Sequence, residues 1–355
     1  MAVYLGVDLH VSKETVCWCD TAEGEIRERT LDHRVEDVGG FYAQFGAGAV
    51  IGVESSGYSL WFQQMVEGLG MELRVGDAYA IRQMARRRQK NDRRDAALLL
   101  DLLLRGDFPA VHVPCAASRE VLSLLRYRHR LVGMRTMLKN GLQAVALNHR
   151  LRLGSRLFTA AGLQRLQRLP LAGSYARQRE HSLGLLAALS ERVAAVERDL
   201  LAAGEEERVK RLRTHPGVGL LTSLAVVHAL EPASRFRRSK QVTAYCGLDP
   251  QEHSSGECQR YGHISKQGSR LLRFLLLEAA HNSIREDPDL RRFYYHLLAK
   301  KNSAIAAVAV ARKLVLRLYR MLREGIDYQE FRRRGREAGR ARDDASSATE
   351  AELSI

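Results

Sequence analysis

Apolar and polar positions change rhythm along the chain, and the changes mark its elements. Val3-Tyr4-Leu5-Gly6-Val7-Asp8 reads as a short apolar strand, Thr15 to Cys19 as a second, and Glu25 to Leu31 alternates as a third. Turn-forming stretches, HVSK and TAEGE, separate them. Gly46 and Gly48 lead into Ala49 to Val53, wholly apolar and closed by Glu54. Ser59 to Gly68 has helical spacing, Glu72 to Val75 reads as another strand, and from Ala96 onward Leu98, Leu99, Leu102 and Leu103 share one helical face. A β-meander followed by alternating helix and strand predicts a mixed α/β domain over residues 1–110.

Pro109 and Pro114 bracket a linker, after which the pattern is mostly α. Residues 111–205 read as a helical linker, loosened only around Leu169 to Ser174. Within it Leu185, Leu186, Leu189, Val193, Val196 and Leu200 form a near-heptad seam. A helical hairpin, a dimerising coiled coil and an ordinary bundle helix all fit that seam. A further helical unit follows over 206–330, and the polar, small-residue end, 331–355, reads as a basic disordered tail.

Charge narrows the function. The chain of 355 residues carries 56 Lys and Arg against 41 Asp and Glu, a formal net charge of +15. Such an excess asks for a polyanionic partner. It is also clustered: Arg82–Arg94, with Arg86, Arg87, Arg88 and Lys90, then Arg119–Arg152, Arg208–Lys240 with Arg237 and Arg238, and the arginines of 332–342. Any one run can be a solvated helix face; four together point to nucleic acid. Aromatics are only 6%, which disfavours rows of stacking platforms and leaves backbone phosphates as the target. The longest charge-free apolar run near the C-terminus, Ala304 to Ala311, is too short to span a bilayer, and the N-terminus lacks the pattern of a signal peptide. Five cysteines without a CxxC pair suit a reducing compartment, so the expected location is the cytoplasm, with no membrane partner.

Four carboxylates stand where chemistry is possible. Asp8 ends the first strand, Glu54 ends the buried one, and Asp92 and Asp95 sit three apart at a helix start, on one face. Converging beyond one sheet edge, they would repel unless a divalent cation such as Mg²⁺ neutralised them, and such a site serves phosphodiester chemistry. The same residues also read as turn and helix caps, and on spacing alone that reading is the favoured one, since acidic caps are common. Further on, His215-Pro216-Gly217-Val218-Gly219 joins two helical patterns as a helix-hairpin-helix does, where Gly217 and Gly219 would let backbone N–H groups approach a phosphate. His253-Ser254-Ser255-Gly256-Glu257 then forms a Ser/Gly loop followed by Lys266, Arg270 and Arg273. No GxSxG elbow, hydrolytic triad or dinucleotide fingerprint accompanies them.

Together these stretches resemble the DEDD transposases of bacterial insertion sequences, bridge-RNA-guided recombinases that join a RuvC-like domain to a serine-bearing C-terminal domain. The likeness rests on GVDLHVSKETV, IGVESSGYSLWF and KNDRRDAALLLDLL, and on HPGVGLLTSLAVV, SRFRRSKQVTAYCGLDPQEHSSG and GHISKQGSRLLRFLLLEAA, spanning nearly the whole chain. It implies an RNase H-like fold in which Asp8, Glu54, Asp92 and Asp95 carry Mg²⁺. It also implies a serine nucleophile in the HSSG loop, Ser255 or else Ser254, forming a transient phosphoserine link to DNA. Lys266, Arg270 and Arg273 would then stabilise charge on the transferring phosphate. The expected partners are donor and target DNA, a noncoding bridge RNA, and further copies of the chain: a dimer, and a tetramer at synapsis, with the acidic site of one protomer facing the serine of another. Glu257 stands where many relatives have a second glycine, placing a charge beside the nucleophile. A Mg²⁺-dependent junction nuclease using water, or an inactive nucleic-acid-binding remnant, would share much of this pattern.

Overall fold

In a computed structural model, which describes residues 2–57, 59–85, 91–252 and 261–337, the N-terminal apolar runs pair into one six-stranded sheet. The strands are β1 (Val3–Leu9), β2 (Lys13–Asp20), β3 (Ile26–Asp32), β4 (Val50–Glu54), β5 (Glu72–Gly76) and β6 (Ala110–Val111). Their spatial order is β3-β2-β1-β4-β5-β6. β1, β2 and β3 pair antiparallel, β4 and β5 run parallel to β1, and β6 closes the edge antiparallel to β5. The helices of this unit are α1 (Val38–Ala43), α2 (Leu60–Gly68), α3 (Ala78–Met84) and α4 (Asp92–Arg105).

Strand alternation divides the side chains between two layers. Leu5, Val7 and Leu9 of β1 pack with Ile51, Val53, Phe41, Tyr42, Phe62 and Val66 on one face. The opposite face carries Tyr4, Gly6 and Asp8, and there α4 lies against β1 and β2, with Ala96 and Leu100 packed on Cys17 and Cys19. Gly6 makes that approach possible. A Cβ there would stand 2.3 Å from the Ala96 carbonyl oxygen and 2.4 Å from the Leu100 amide nitrogen. On the neighbouring strand Gly52, paired with Gly6, lies under Leu103 and Phe108, whose side-chain atoms a Cβ would meet at 2.8 Å.

The chain divides into two compact units, Met1–Val113 and Pro114–Ile355. The second begins with α5 (Ala116–Asn148), a short 3-10 turn (Gly154–Phe158), α6 (Ala160–Arg168) and α7 (Gly173–Ala203). α5 and α7 pack along each other as an antiparallel hairpin, with Arg128 bound to Glu197 at 2.5 Å and Leu142 and Leu186 sharing a small core at the far end. There follow α8 (Glu207–Arg213), α9 (Leu220–Leu230), α10 (Ser239–Tyr245), a two-stranded ribbon of β7 (Pro250–Glu252) and β8 (Tyr261–Ile264), then α11 (Arg270–Glu286), α12 (Pro288–Leu298), α13 (Ser303–Glu324) and α14 over residues 328–337.

Two sequence-based boundaries change. The expected division near residue 205 does not separate two packed bodies, because Leu125, Leu131, Val193, Val196 and Leu200 of the hairpin share one core with α8, α9, α11 and α13. The expected disordered tail begins too early at 331, since residues 331–337 continue α14 and Phe331 packs onto that core; residues 338–355 lie outside the described residues. No helix among the described residues is long and apolar enough to cross a membrane.

Candidate functional site

The sheet and α4 together build an acidic centre. Asp8 lies one residue beyond the Val7–Val53 pair, and so does Glu54 on the adjacent parallel strand. By alternation both face the α4 side, two residues past the Gly6–Gly52 pair. α4 is capped by Asn91, whose side chain accepts the Arg93 amide at 3.2 Å, and its first turn presents Asp92 and Asp95. Acidic groups in a first helical turn are stabilised by the helix N-terminus. The two glycines therefore let the helix settle closely enough for its acidic end to meet the carboxylate-bearing ends of β1 and β4.

The turn between β1 and β2 adds two residues. His10 Nε2 lies 3.2 Å from Asp8 Oδ2 and 3.6 Å from Asp92 Oδ1. Lys13 Nζ donates to Asp92 Oδ2 at 2.7 Å. Burial, the largest influence, raises the Asp8 carboxyl pKa; His10 opposes it, while the charges of Asp95 and Asp92 add to it. Asp92 is held below its ordinary range, chiefly by the Lys13 hydrogen bond. The centre is thus an anionic cluster partly neutralised by the chain's own cation. Ligand atoms of Asp8, His10 and Asp92 all come within 4.8 Å of one another, a donor set suited to a divalent cation. The structure brings Asp8, Asp92 and Asp95 into electrostatic range and sets Glu54 beside Asp8 by strand register.

Gly6, His10 and Lys13 were not singled out by the sequence pattern. HVSK reads there only as a turn, although a histidine and a lysine two and five residues after a strand-end aspartate carry the signal.

In the second unit the expected residues separate. Gly217 has a positive φ of 80°, and a Cβ there would meet Ser283 N of α11 at 2.3 Å. The turn packs closely on α11, tied by Ser283 Oγ donating to the Pro216 carbonyl at 2.7 Å, and this packing requires a glycine at 217. Gly219 is exposed at the start of α9. Arg237 and Arg238 are exposed before α10, whereas the neighbouring Arg235 stacks on Phe236 and Tyr245 at 4.0 and 4.4 Å. Lys266 and Arg270 are both exposed between β8 and α11. Lys266 adopts a φ of 55°, and the loop that holds it is clasped to the end of α10: a Cβ on Gly268 would lie 2.2 Å from the Tyr245 carbonyl oxygen. Arg273 Nη1 donates to the Gln267 carbonyl at 2.6 Å, so it braces this loop. Ser254 and Ser255, in the segment joining β7 to β8, lie outside the described residues, as do Arg86, Arg87, Arg88 and Lys90.

A family model described as transposase, for DEDD transposases of IS110 elements, matches residues 5–149, and one described as the transposase IS116/IS110/IS902 family matches residues 209–295. A probable family 20 transposase of Pseudomonas aeruginosa is 28% identical over 90% of this chain and 96% of its own length. The transposase for insertion sequence element IS1111A of Coxiella burnetii is 28% identical over 87% of this chain and 86% of its own. A pilin gene-inverting protein of Moraxella bovis is 29% identical over 33% of this chain and 37% of its own. The two family matches fall on the two regions that hold the acidic centre and the glycine-clasped loop, and the chain belongs to the IS110 family of DEDD transposases.

Proposed function

We propose that this transposase cuts and rejoins DNA strands through a serine–DNA intermediate, using a Mg²⁺-bearing centre made of Asp8, Glu54, Asp92 and Asp95. The observation that carries the reading is the meeting of Asp8 with Asp92 at the carboxyl end of β1, where carboxylates are held together against their own repulsion. The strand order β3-β2-β1-β4-β5, with the acidic residues on β1, β4 and α4, supports an RNase H-like, RuvC-like unit.

Mg²⁺ at these oxygens would polarise a phosphodiester and stabilise charge developing on it. The rest of the chemistry falls to the chain. Ser255 Oγ, or Ser254 Oγ, attacks phosphorus and gives up its proton; the displaced strand oxygen leaves as a hydroxyl; a second strand's hydroxyl then attacks the phosphoserine and releases the serine. A serine hydroxyl is a weak nucleophile and needs such activation. Lys266 and Arg270, exposed beside the segment that bears the serines, would bind the transferring phosphate. Arg237, Arg238 and the Arg86–Lys90 run would hold nucleic-acid backbone, including that of a noncoding bridge RNA that supplies sequence by base pairing. In this reading the active assembly is a homo-oligomer.

Similarity over part of the chain to a protein named for inverting a gene favours a rejoining enzyme over a water-using nuclease. The test is covalent trapping: protein, flanking noncoding RNA, labelled donor and target DNA and Mg²⁺ are combined, denatured and resolved on a gel. A labelled protein–DNA adduct lost in Ser255→Ala supports the reading with Ser255 as nucleophile; one lost only in Ser254→Ala moves the role by one residue. Cleavage without an adduct in any variant replaces the recombinase with a water-using nuclease.

A further inference from the structure

The second unit contains a cavity of about 550 Å³ between α12, α13 and α14. Its walls carry Lys313, Arg317 and Arg320, spaced four and three residues apart on one face of α13, and Arg332 and Arg336, four apart on α14. Such spacings bring side chains to one side of a helix. Asp289 is the single carboxylate in the lining, 4.0 Å from Arg332.

The arginines are held in place. Arg317 Nη1 donates to Asp287 Oδ2 at 2.8 Å, and Asp287 is itself fully buried, accepting the Asp289 and Leu290 amides at the start of α12 and the Tyr328 hydroxyl. Arg320 Nε donates to Glu324 at 2.8 Å, and the Arg317 and Arg320 guanidinium groups both lie over the Phe331 ring, at 5.9 and 5.8 Å. Lys313 and Arg336 have no carboxylate partner among the described residues; Lys313 rests over the Phe293 ring at 4.4 Å. The cavity therefore presents an uncompensated positive field on a pre-formed frame. An anion bound there meets the unpaired Lys313 and Arg336 in front of a fixed wall and displaces little protein structure.

We propose that this cavity seats backbone phosphates of a nucleic-acid strand, with Lys313 and Arg336 as the cations that reach them and Arg317 and Arg320 as the fixed wall. The ligand chemistry is the phosphate group, and the source is a strand, because the chain's basic excess and its family both place it on nucleic acid. The seat is independent of the covalent step and stands even if no serine adduct forms.

The test compares the full chain with a Lys313→Gln, Arg336→Gln double variant. Binding of a fluorescent single-stranded oligonucleotide is followed by anisotropy over a range of salt, and circular dichroism checks helix content. Each lost phosphate contact on a single strand lowers the slope of log K against log salt by about 0.7, so the double variant's slope falls by about 1.4. The charge-keeping variant, Lys313→Arg with Arg336→Lys, retains the wild-type slope. An unchanged slope in the double variant overturns the proposal, as does an equal fall in the charge-keeping variant. A parallel titration with inorganic pyrophosphate separates the sources: pyrophosphate binding abolished by the double variant, with the oligonucleotide slope unchanged, assigns the cavity to a free polyphosphate and overturns the strand.

Discussion

Replacing Gly6 by alanine reaches the acidic centre without touching any of its charges. The added Cβ would stand 2.3 Å from the Ala96 carbonyl oxygen and 2.4 Å from the Leu100 amide nitrogen, both backbone atoms of α4 that cannot rotate away. Comfortable contacts begin near about 3.5 Å, so α4 has to retreat from β1 by about 1 Å. Overpacking of this kind costs about 1–3 kcal/mol, which the fold can survive. The catalytic consequence is larger. Asp92 and Asp95 ride on the first turn of the same helix and withdraw with it from Asp8, and a misplacement of about 1 Å can cost about a hundredfold in rate. Gly6→Ala is therefore expected to fold, to lose about 1–3 kcal/mol in urea unfolding, and to lose about a hundredfold in DNA strand cleavage. Gly52→Ala is the internal comparison. Its Cβ would meet Leu103 Cδ1 and the Phe108 ring at 2.8 Å, both side-chain ends that can shift, so its losses are smaller. Wild-type stability and cleavage in Gly6→Ala, or greater damage from Gly52→Ala, would refute the claim that helix approach sets the site.

Two further outcomes follow from buried charge and hydrogen bonding in the second unit. Asp287→Ala leaves Arg317 without its partner and removes the cap of α12; the expected loss is about 3–5 kcal/mol in urea unfolding, and a loss below about 1 kcal/mol would contradict the role given to this pair. His215 is buried with its pKa pushed down to about 4, mainly by that burial, so its stabilising contribution is complete above about pH 6.5 and is lost as pH falls toward about 4. The wild-type protein should lose stability with a slope approaching about 1.4 kcal/mol per pH unit in that window, and His215→Gln should flatten it. Urea midpoints at several pH values check this, and equal pH dependence in both proteins would count against a neutral buried imidazole.

Strands β1 to β5 were legible as short apolar or alternating runs between turn residues, and each falls within two residues of its sequence reading; β6, β7 and β8, two to four residues long and lacking such a pattern, were not. Helices α1 and α3 were not. VGGFYA contains two glycines that hide any helical pattern, and both helices are seven residues or fewer, defined by the Asp37 and Asp77 caps more than by a buried stripe. Asp8 and Asp92 drew notice as strand-end and helix-start carboxylates, but what joins them is non-local. His10 and Lys13 reach across some eighty positions of sequence to Asp92, and no periodicity encodes that meeting. Gly6 looked like an ordinary strand residue, since only the seated helix reveals why a side chain cannot stand there. Gly217 is alike in this: the sequence shows a glycine beside basic residues, and only the fold shows that the atoms next to it belong to α11.

The account rests on the acidic centre being a divalent-metal site in which Lys13 fills part of the cation's role. Direct titration of the full chain with Mn²⁺, the free ion followed by its electron paramagnetic resonance signal, tests this without DNA or RNA. The account predicts saturable binding to the wild-type protein, loss of at least tenfold in affinity in Asp8→Asn and in Asp92→Asn, and tighter binding in Lys13→Met, which frees the Asp92 carboxylate. Equal Mn²⁺ binding by wild type and both aspartate variants would contradict it.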